Sequence, residues 1–263
     1  MKRRPFIKIM KNLIQKLKSF KASSYILAVT IFYAMGSLLI NLMAVKTMGY
    51  YEPIDFDKGL FGNPIIPITT AGTCISWLVF GAIDVITEIR GKKGAVQTFW
   101  IVGILNVLFT VIAALICFIP GNPWTKDAYD GVFGGNWGIA LSSITAFLIG
   151  NYVNAIIFYV MKVRDKDPKS GKSFTLRVIV STLVGQLLDN AIFYIVALAP
   201  GFGIGGIVNP AVRCANWGHL FMIVGFTTAI ELIIETLFSP LFHKFSQFVI
   251  KKKEQEGIED ISL

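Results

Sequence analysis

The chain has 263 residues, 54% of them hydrophobic, with 25 Lys and Arg against 16 Asp and Glu and a net charge of +9. Six apolar runs of about 20 residues each suit a hydrocarbon core of about 30 Å and exclude an ordinary soluble domain. The excess positive charge lies in alternate gaps between the runs, which makes it a topology signal facing anionic lipid rather than a nucleic-acid footprint.

In chain order, residues 1–22 read as a basic amphipathic N-terminal segment. Phe6, Ile9, Met10, Leu13, Leu17 and Phe20 recur at helical spacing with Lys8, Lys11, Lys16 and Lys18 between them, the pattern of a helix lying in the membrane interface. The apolar run that follows is too long for the h-region of a cleaved signal peptide. Residues 23–245 read as one six-helix transporter domain with runs at 24–45, 65–89, 95–119, 138–161, 174–199 and 217–242. Residues 246–263 read as a charged cytoplasmic tail without ordered structure.

The N-terminal segment, the gaps 90–94 and 162–177 and the C-terminal tail hold 21 of the 25 Lys and Arg. The other gaps hold only Lys46, Lys58, Lys126 and Arg213. Cytoplasmic loops are enriched in Lys and Arg, so both termini are expected in the cytoplasm and loops 46–63, 120–137 and 200–216 outside. The fold class that follows is an all-α integral membrane protein with six transmembrane helices. A multi-pass place in a cell membrane, a bacterial inner membrane or a plasma membrane, goes with it.

Several motif matches carry no chemistry. GFGIGG at 201–206 fits GxGxxG but follows a membrane helix, with no strand–helix unit around it. SGKS at 170–173 resembles the end of a phosphate-binding loop, yet Lys166 stands where its first glycine belongs. NPA at 209–211 is a water-channel element, but its partner loop reads RGKKGA. Cys74, Cys117 and Cys214 form no CxxC pair, and His219 and His243 stand alone, so neither a disulfide framework nor a structural zinc site is expected.

The informative residues are polar groups inside the apolar runs. An ionisable group at a helix centre costs about 2.5–3.5 kcal/mol on insertion scales, so it faces a cavity or a partner. Asp84 and Glu88 form one i, i+4 pair and Glu231 and Glu235 another, while Asp189 lies between them in sequence. Thr73, Ser76, Asp84 and Glu88 stripe the second helix. Ser143, Asn151 and Asn154 stripe the fourth, and Thr182, Gln186, Asp189 and Asn190 the fifth. Thr227, Glu231 and Glu235 stripe the sixth, and Asn41 marks the outer end of the first. Residue counting places Asp189 and Glu231 near mid-membrane, Asp84 in the inner third and Glu88 near the inner interface, able to pair with Arg90. Asp84, Asn151, Gln186, Asp189 and Glu231 are expected to converge on one pocket. Protonation of buried acids makes proton coupling an open alternative. GxSxG and HExxH are both missing and no His accompanies the acids, so the reading is not an enzyme, and no metal or cofactor is called for.

Four stretches carry a family resemblance. PIIPITTAGTCISWLVFGAIDVITEIRGKKGA (64–95) resembles the second-helix signature of the vitamin uptake transporter family, the queuosine precursor transporters. NLMAVK (41–46) resembles that family's Asn-bearing end of helix one. LSSITAFLIGNYVNAIIFYVMK (141–162) is similar to its Ser-rich fourth helix, and STLVGQLLDNAIFYIVAL (181–198) to its fifth. The resemblance spans roughly 25–245. Two features depart from it: Asn136, Trp137 and Gly138 replace a basic residue at the start of helix four, and Asn190 replaces a small residue after Asp189.

The resemblance implies an importer of 7-deazaguanine compounds, such as 7-cyano- or 7-aminomethyl-7-deazaguanine or queuine, for tRNA queuosine modification. The substrate-binding residues expected are Asp84, Glu88, Asn151, Asn154, Gln186, Asp189, Asn190, Glu231 and Asn41. A carboxylate can accept two parallel bonds from the amidine-like N–H face of a deazaguanine. Asn and Gln meet its other edge, and Phe193, Tyr194 or Trp77 can stack on it. The expected partners are the deazaguanine solute and the lipid bilayer, with no nucleic acid. A homo-oligomer or an energising partner stays open. Competing readings are a transporter or energy-coupling binding subunit for another vitamin-like solute, then a membrane enzyme or a structural membrane protein.

Overall fold

The computed structural model describes residues 21–43, 47–48, 69–133, 137–201, 203–204, 214 and 216–257. The basic segment 1–20, the NPA stretch and most of loop 46–63 lie outside the described residues. Among those described, five helices are long and apolar enough to cross a membrane. These are α1 (Ala22–Met43), α2 (Thr73–Ile116), α4 (Trp137–Arg164), α5 (Gly171–Leu198) and α6 (Trp217–Gln255). A short helix α3 (Pro123–Phe133) lies between α2 and α4, and a two-residue ladder pairs β1 (Thr47–Met48) with β2 (Thr69–Thr70).

Helix α2 makes two crossings. A straight helix of its 44 residues would run about 66 Å, twice the hydrocarbon thickness. Gly91 breaks it, with φ 67° and ψ −174°, a backbone region essentially restricted to glycine. The two arms then pack on each other. Val79, Ile83 and Ile86 from the first arm share a core with Ala95, Phe99 and Val102 from the second. Neighbouring α1 positions touch both arms: Gly36 abuts Val79, and the Asn106 amide donates to Ser37 Oγ at 2.8 Å. Arg90 spans the turn by donating to Thr98 Oγ1 at 3.1 Å, so it is not the partner of Glu88. With this hairpin the described residues of this all-α membrane protein make six crossings.

The helix ends follow local chemistry. The Asn122 side chain accepts the Trp124 N–H at 3.1 Å, and Pro123 opens α3, a position where a missing N–H costs nothing. The Lys126 ammonium beside Asp130 on α3 holds that carboxyl below its ordinary range. Asn216 caps α6 by accepting the His219 N–H at 2.9 Å. Pro240 interrupts the hydrogen-bond ladder of α6, and the Ser239 hydroxyl donates to the Thr236 carbonyl that Pro240 leaves free. Ser170 and Ser173 of the SGKS stretch have structural work: Ser170 precedes α5, and Ser173 donates to Asp165.

Helix α6 continues to Gln255, well past the apolar run that ends at 242. Ser246 and Val249 are buried on it, and the Ala22 N–H donates to both Glu256 carboxylate oxygens at 3.1 and 2.9 Å. A negative side chain at the α1 N-terminus complements the helix dipole there. The basic run of the expected tail is therefore docked helix as far as Gln255.

The bundle is apolar outside and polar inside, as a protein solvated by lipid should be. Leu237 and Leu115 are 72% and 60% exposed, whereas Asp84, Asn154 and Glu235 are 0% exposed. Helices α4 and α5 approach backbone to backbone. A Cβ on Gly150 would lie 2.9 Å from the Gly185 carbonyl, and one on Gly185 would lie 3.1 Å from that of Gly150. Small residues permit such contact in membranes, and here it sets Asp189 and Asn154 at fixed depth. Gly150→Ala would also crowd the Asp189 Cβ to 2.7 Å, so the helices must part. The expected cost is about 1–3 kcal/mol in a thermal melt. Gly121→Ala, with open space around it, should melt with the wild type; equal melting of both variants would contradict the close crossing.

Candidate functional site

The polar residues form three levels along the bundle. The first is a cavity bounded by α1, the first arm of α2, α4, α5 and α6, with about 590 Å3 of empty space including its open mouth. Thr70, Gly72 and Ile40 line the part of it that lies toward the β1–β2 ladder, away from Gly91 and the basic loops. Asn41, Asp189, Asn190 and Glu231 line it, as do the aromatic rings of Phe193 and Tyr194.

Within the cavity the polar groups differ in how they are satisfied. Asn41 donates to Asn106 Oδ1 at 2.8 Å and accepts from the Ser143 hydroxyl. The Asn190 amide donates to Glu231 Oε2 at 2.8 Å and to Thr228 Oγ1 at 3.1 Å. Asp189 is different: among the described residues no donor reaches its carboxylate. A carboxylate facing a cavity without a protein donor is an acceptor presented to something else.

The second level is closed. Asn154 donates to Asp84 Oδ1 at 2.7 Å. Glu235 accepts from Thr182 Oγ1 at 3.0 Å and from Gln186 Nε2 at 3.1 Å. The two carboxylates are close enough to interact electrostatically, and all five residues are 0% exposed. The close approach at Gly150 and Gly185 makes this level possible, since Asn154 packs directly over Gly185.

The third level is an ion network on the basic side. Arg177 Nη2 lies 3.2 Å from Glu88 Oε2, and its Nη1 lies 2.8 Å from Asp165 Oδ2. Arg177 also donates to the Pro168 carbonyl at 3.2 Å, and its guanidinium carbon lies 5.2 and 5.6 Å from the ring centroids of Phe158 and Phe174, which meet edge to face. Lys162 approaches Glu88 Oε2 at 3.4 Å and donates to the Glu88 carbonyl at 2.6 Å.

The nine residues expected to bind solute are therefore divided. Asn41, Asp189, Asn190 and Glu231 line the cavity. Asp84, Asn154 and Gln186 lie beneath it in the closed level. Glu88 belongs to the ion network, because a buried Arg offers it a stronger partner than solvent would. Asn151 accepts from Tyr33 OH at 3.2 Å and donates to the Phe147 carbonyl at 3.1 Å, which spends it on holding α1 to α4. Trp77 stacks on Phe238 with ring centroids 4.2 Å apart, away from the cavity, while Phe193 and Tyr194 do face it.

Arg177 was not legible as a site residue, because it falls among the loop cations. Its signal is position: it lies beyond the first turn of the helix that starts at Gly171, and there it is buried. Asn106 and Tyr33 likewise bind helices together and gave no pattern in sequence. Among the described residues, no group of three or more His, Cys, Asp or Glu is placed to hold a metal ion.

A family model described as "Putative vitamin uptake transporter" matches residues 70–244. That span runs from the cavity-lining Thr70 through both arms of α2 to Lys244 in α6. No curated protein and no solved structure matches the chain.

Proposed function

The chain belongs to the vitamin uptake transporter family, and from that premise we propose that it imports 7-deazaguanine precursors of queuosine through this cavity. The observation that carries the reading is the Asp189 carboxylate, facing the cavity with no donor from the described protein and with Phe193 and Tyr194 beside it. A deazaguanine offers a planar ring to the aromatics and two parallel N–H groups to the carboxylate. Glu231 and Asn190 supply further polar contact, and an aminomethyl substituent would add a cation that these acids favour. Asp84, expected with Asp189 at the N–H face, and Gln186, expected with Asn151 at the other edge, lie in the closed level, so Asn41 and Asn190 are the amides left for that other edge.

The test is complementation. In a bacterial strain unable to make the precursor, the chain should restore queuosine in tRNA at low external precursor. Restoration of growth on another vitamin without queuosine would keep the transporter class and remove the deazaguanine.

The charge pattern supports an orientation with Gly91, the α4–α5 loop and the end of α6 in the cytoplasm, in a cell membrane. In that orientation the cavity lies on the outer side of the closed level, where an importer would meet its solute. With native cysteines replaced, Asp127→Cys should react with a membrane-impermeant maleimide on intact cells. Lys169→Cys should react only after the cells are opened, and the reverse pattern would invert the orientation.

A further inference from the structure

The closed level beneath the cavity holds an imbalance that solute recognition does not explain. Three buried oxygens there have no hydrogen-bond donor: Asp84 Oδ2, Asn154 Oδ1 and Gln186 Oε1. Each belongs to a side chain that is 0% exposed. The side chains that carry them are joined in one level, Asn154 to Asp84 and Gln186 to Glu235, with Glu235 and Asp84 within electrostatic reach. Native interiors leave few polar atoms unpaired, and unpaired ones each cost free energy. Two carboxylates in the same desolvated layer add a second cost, because the nearest buried cation, Arg177, is paired to Glu88 and Asp165.

We propose that this level is a sodium site, with Asp84, Asn154, Gln186 and Glu235 as its oxygen ligands. A single small cation answers both defects. It gives the three donor-less oxygens a positive partner and offsets one of the two buried charges. A proton on Asp84 Oδ2 could donate to only one of the two amide oxygens and would leave the other orphaned. The ligand set is all oxygen, carboxylate and amide, which suits a hard cation and offers nothing to a soft metal. Its place between the open cavity and the Glu88–Arg177 network is where a co-transported ion would couple solute binding to opening of the other side. That coupling rests on the transporter reading; the ion site itself does not.

The experiment is thermal unfolding of the full-length purified protein in detergent at fixed ionic strength, with NaCl exchanged against KCl or N-methylglucamine chloride and no solute present. A ligand that binds only the folded state raises its melting temperature with concentration. The expected result is a saturable upward shift with sodium alone. Asp84→Asn keeps the oxygen that accepts from Asn154 and places an N–H₂ where the donor-less oxygen stood. This variant should fold and lose the sodium shift. Gln186→Leu removes one neutral ligand and should move the midpoint to at least ten-fold higher sodium. Equal melting in all three salts overturns the site, as does a sodium shift that survives in Asp84→Asn. A sodium-independent but pH-dependent shift abolished by Asp84→Asn overturns sodium in favour of a proton. Sodium binding without deazaguanine uptake would refute the solute assignment and leave the site standing.

Discussion

Asp189→Asn is expected to abolish solute uptake while the protein still accumulates in the membrane. The substitution keeps the shape of the side chain but removes its charge and turns one acceptor into a donor. In the proposed complex that donor faces the ring N–H groups of the solute across a desolvated contact. A buried donor left without an acceptor costs about 1–3 kcal/mol, which is roughly ten-fold or more in affinity. Nothing in the described fold depends on the Asp189 carboxylate for a hydrogen bond, so stability should be little changed. The check pairs two measurements: queuosine in tRNA at low external precursor, and the amount of folded protein recovered from membranes. Normal uptake by Asp189→Asn would remove the carboxylate from solute recognition.

Arg177→Met should be the most destabilising single substitution on the basic side. The guanidinium is 1% exposed and joins α5 to Glu88 on α2 and to Asp165 in the α4–α5 loop. Its removal leaves Glu88 with Lys162 at 3.4 Å and strands the Asp165 carboxylate with Ser173. Breaking a buried ion pair from one side costs about 3–5 kcal/mol where the remaining charge is left unpaired, and the Lys162 contact to Glu88 places this variant toward the lower end. Removing both partners is much less costly, so Glu88→Gln combined with Arg177→Met should recover part of the lost stability. Thermal melts of the three proteins decide this. Melting of Arg177→Met alongside the wild type would mean that the network is not holding the basic side closed.

The carboxylates of the second, fifth and sixth predicted helices illustrate what a one-dimensional pattern can reach. Helical stripes identify the residues that face inward, and all of the acids so picked are buried or line the cavity. They cannot state depth or partner. Asp84 and Asp189 look alike in sequence, each an Asp inside an apolar run, yet Asp84 is bonded to Asn154 and Asp189 is open to the cavity. The difference arises at the Gly150–Gly185 contact, where two glycines distant in sequence let α4 and α5 meet.

The number of crossings, the apolar exterior, the sorting of charge to alternate loops and the inward acids all followed from the chain alone. Their cause is local: a bilayer about 30 Å thick demands about 20 apolar residues per helix and rejects unpaired charge, whatever the neighbours are. Tertiary structure decided how those acids divide among a cavity, a closed oxygen-rich level and an ion network with Arg177. It also decided that Gly91 turns one helical stretch into a hairpin and that the basic end of α6 docks on the start of α1. Those outcomes depend on which helices touch and at what height. Hydrogen bonds and ion pairs in a low-dielectric interior form only between groups that packing brings within about 3 Å, and packing is a property of the whole bundle.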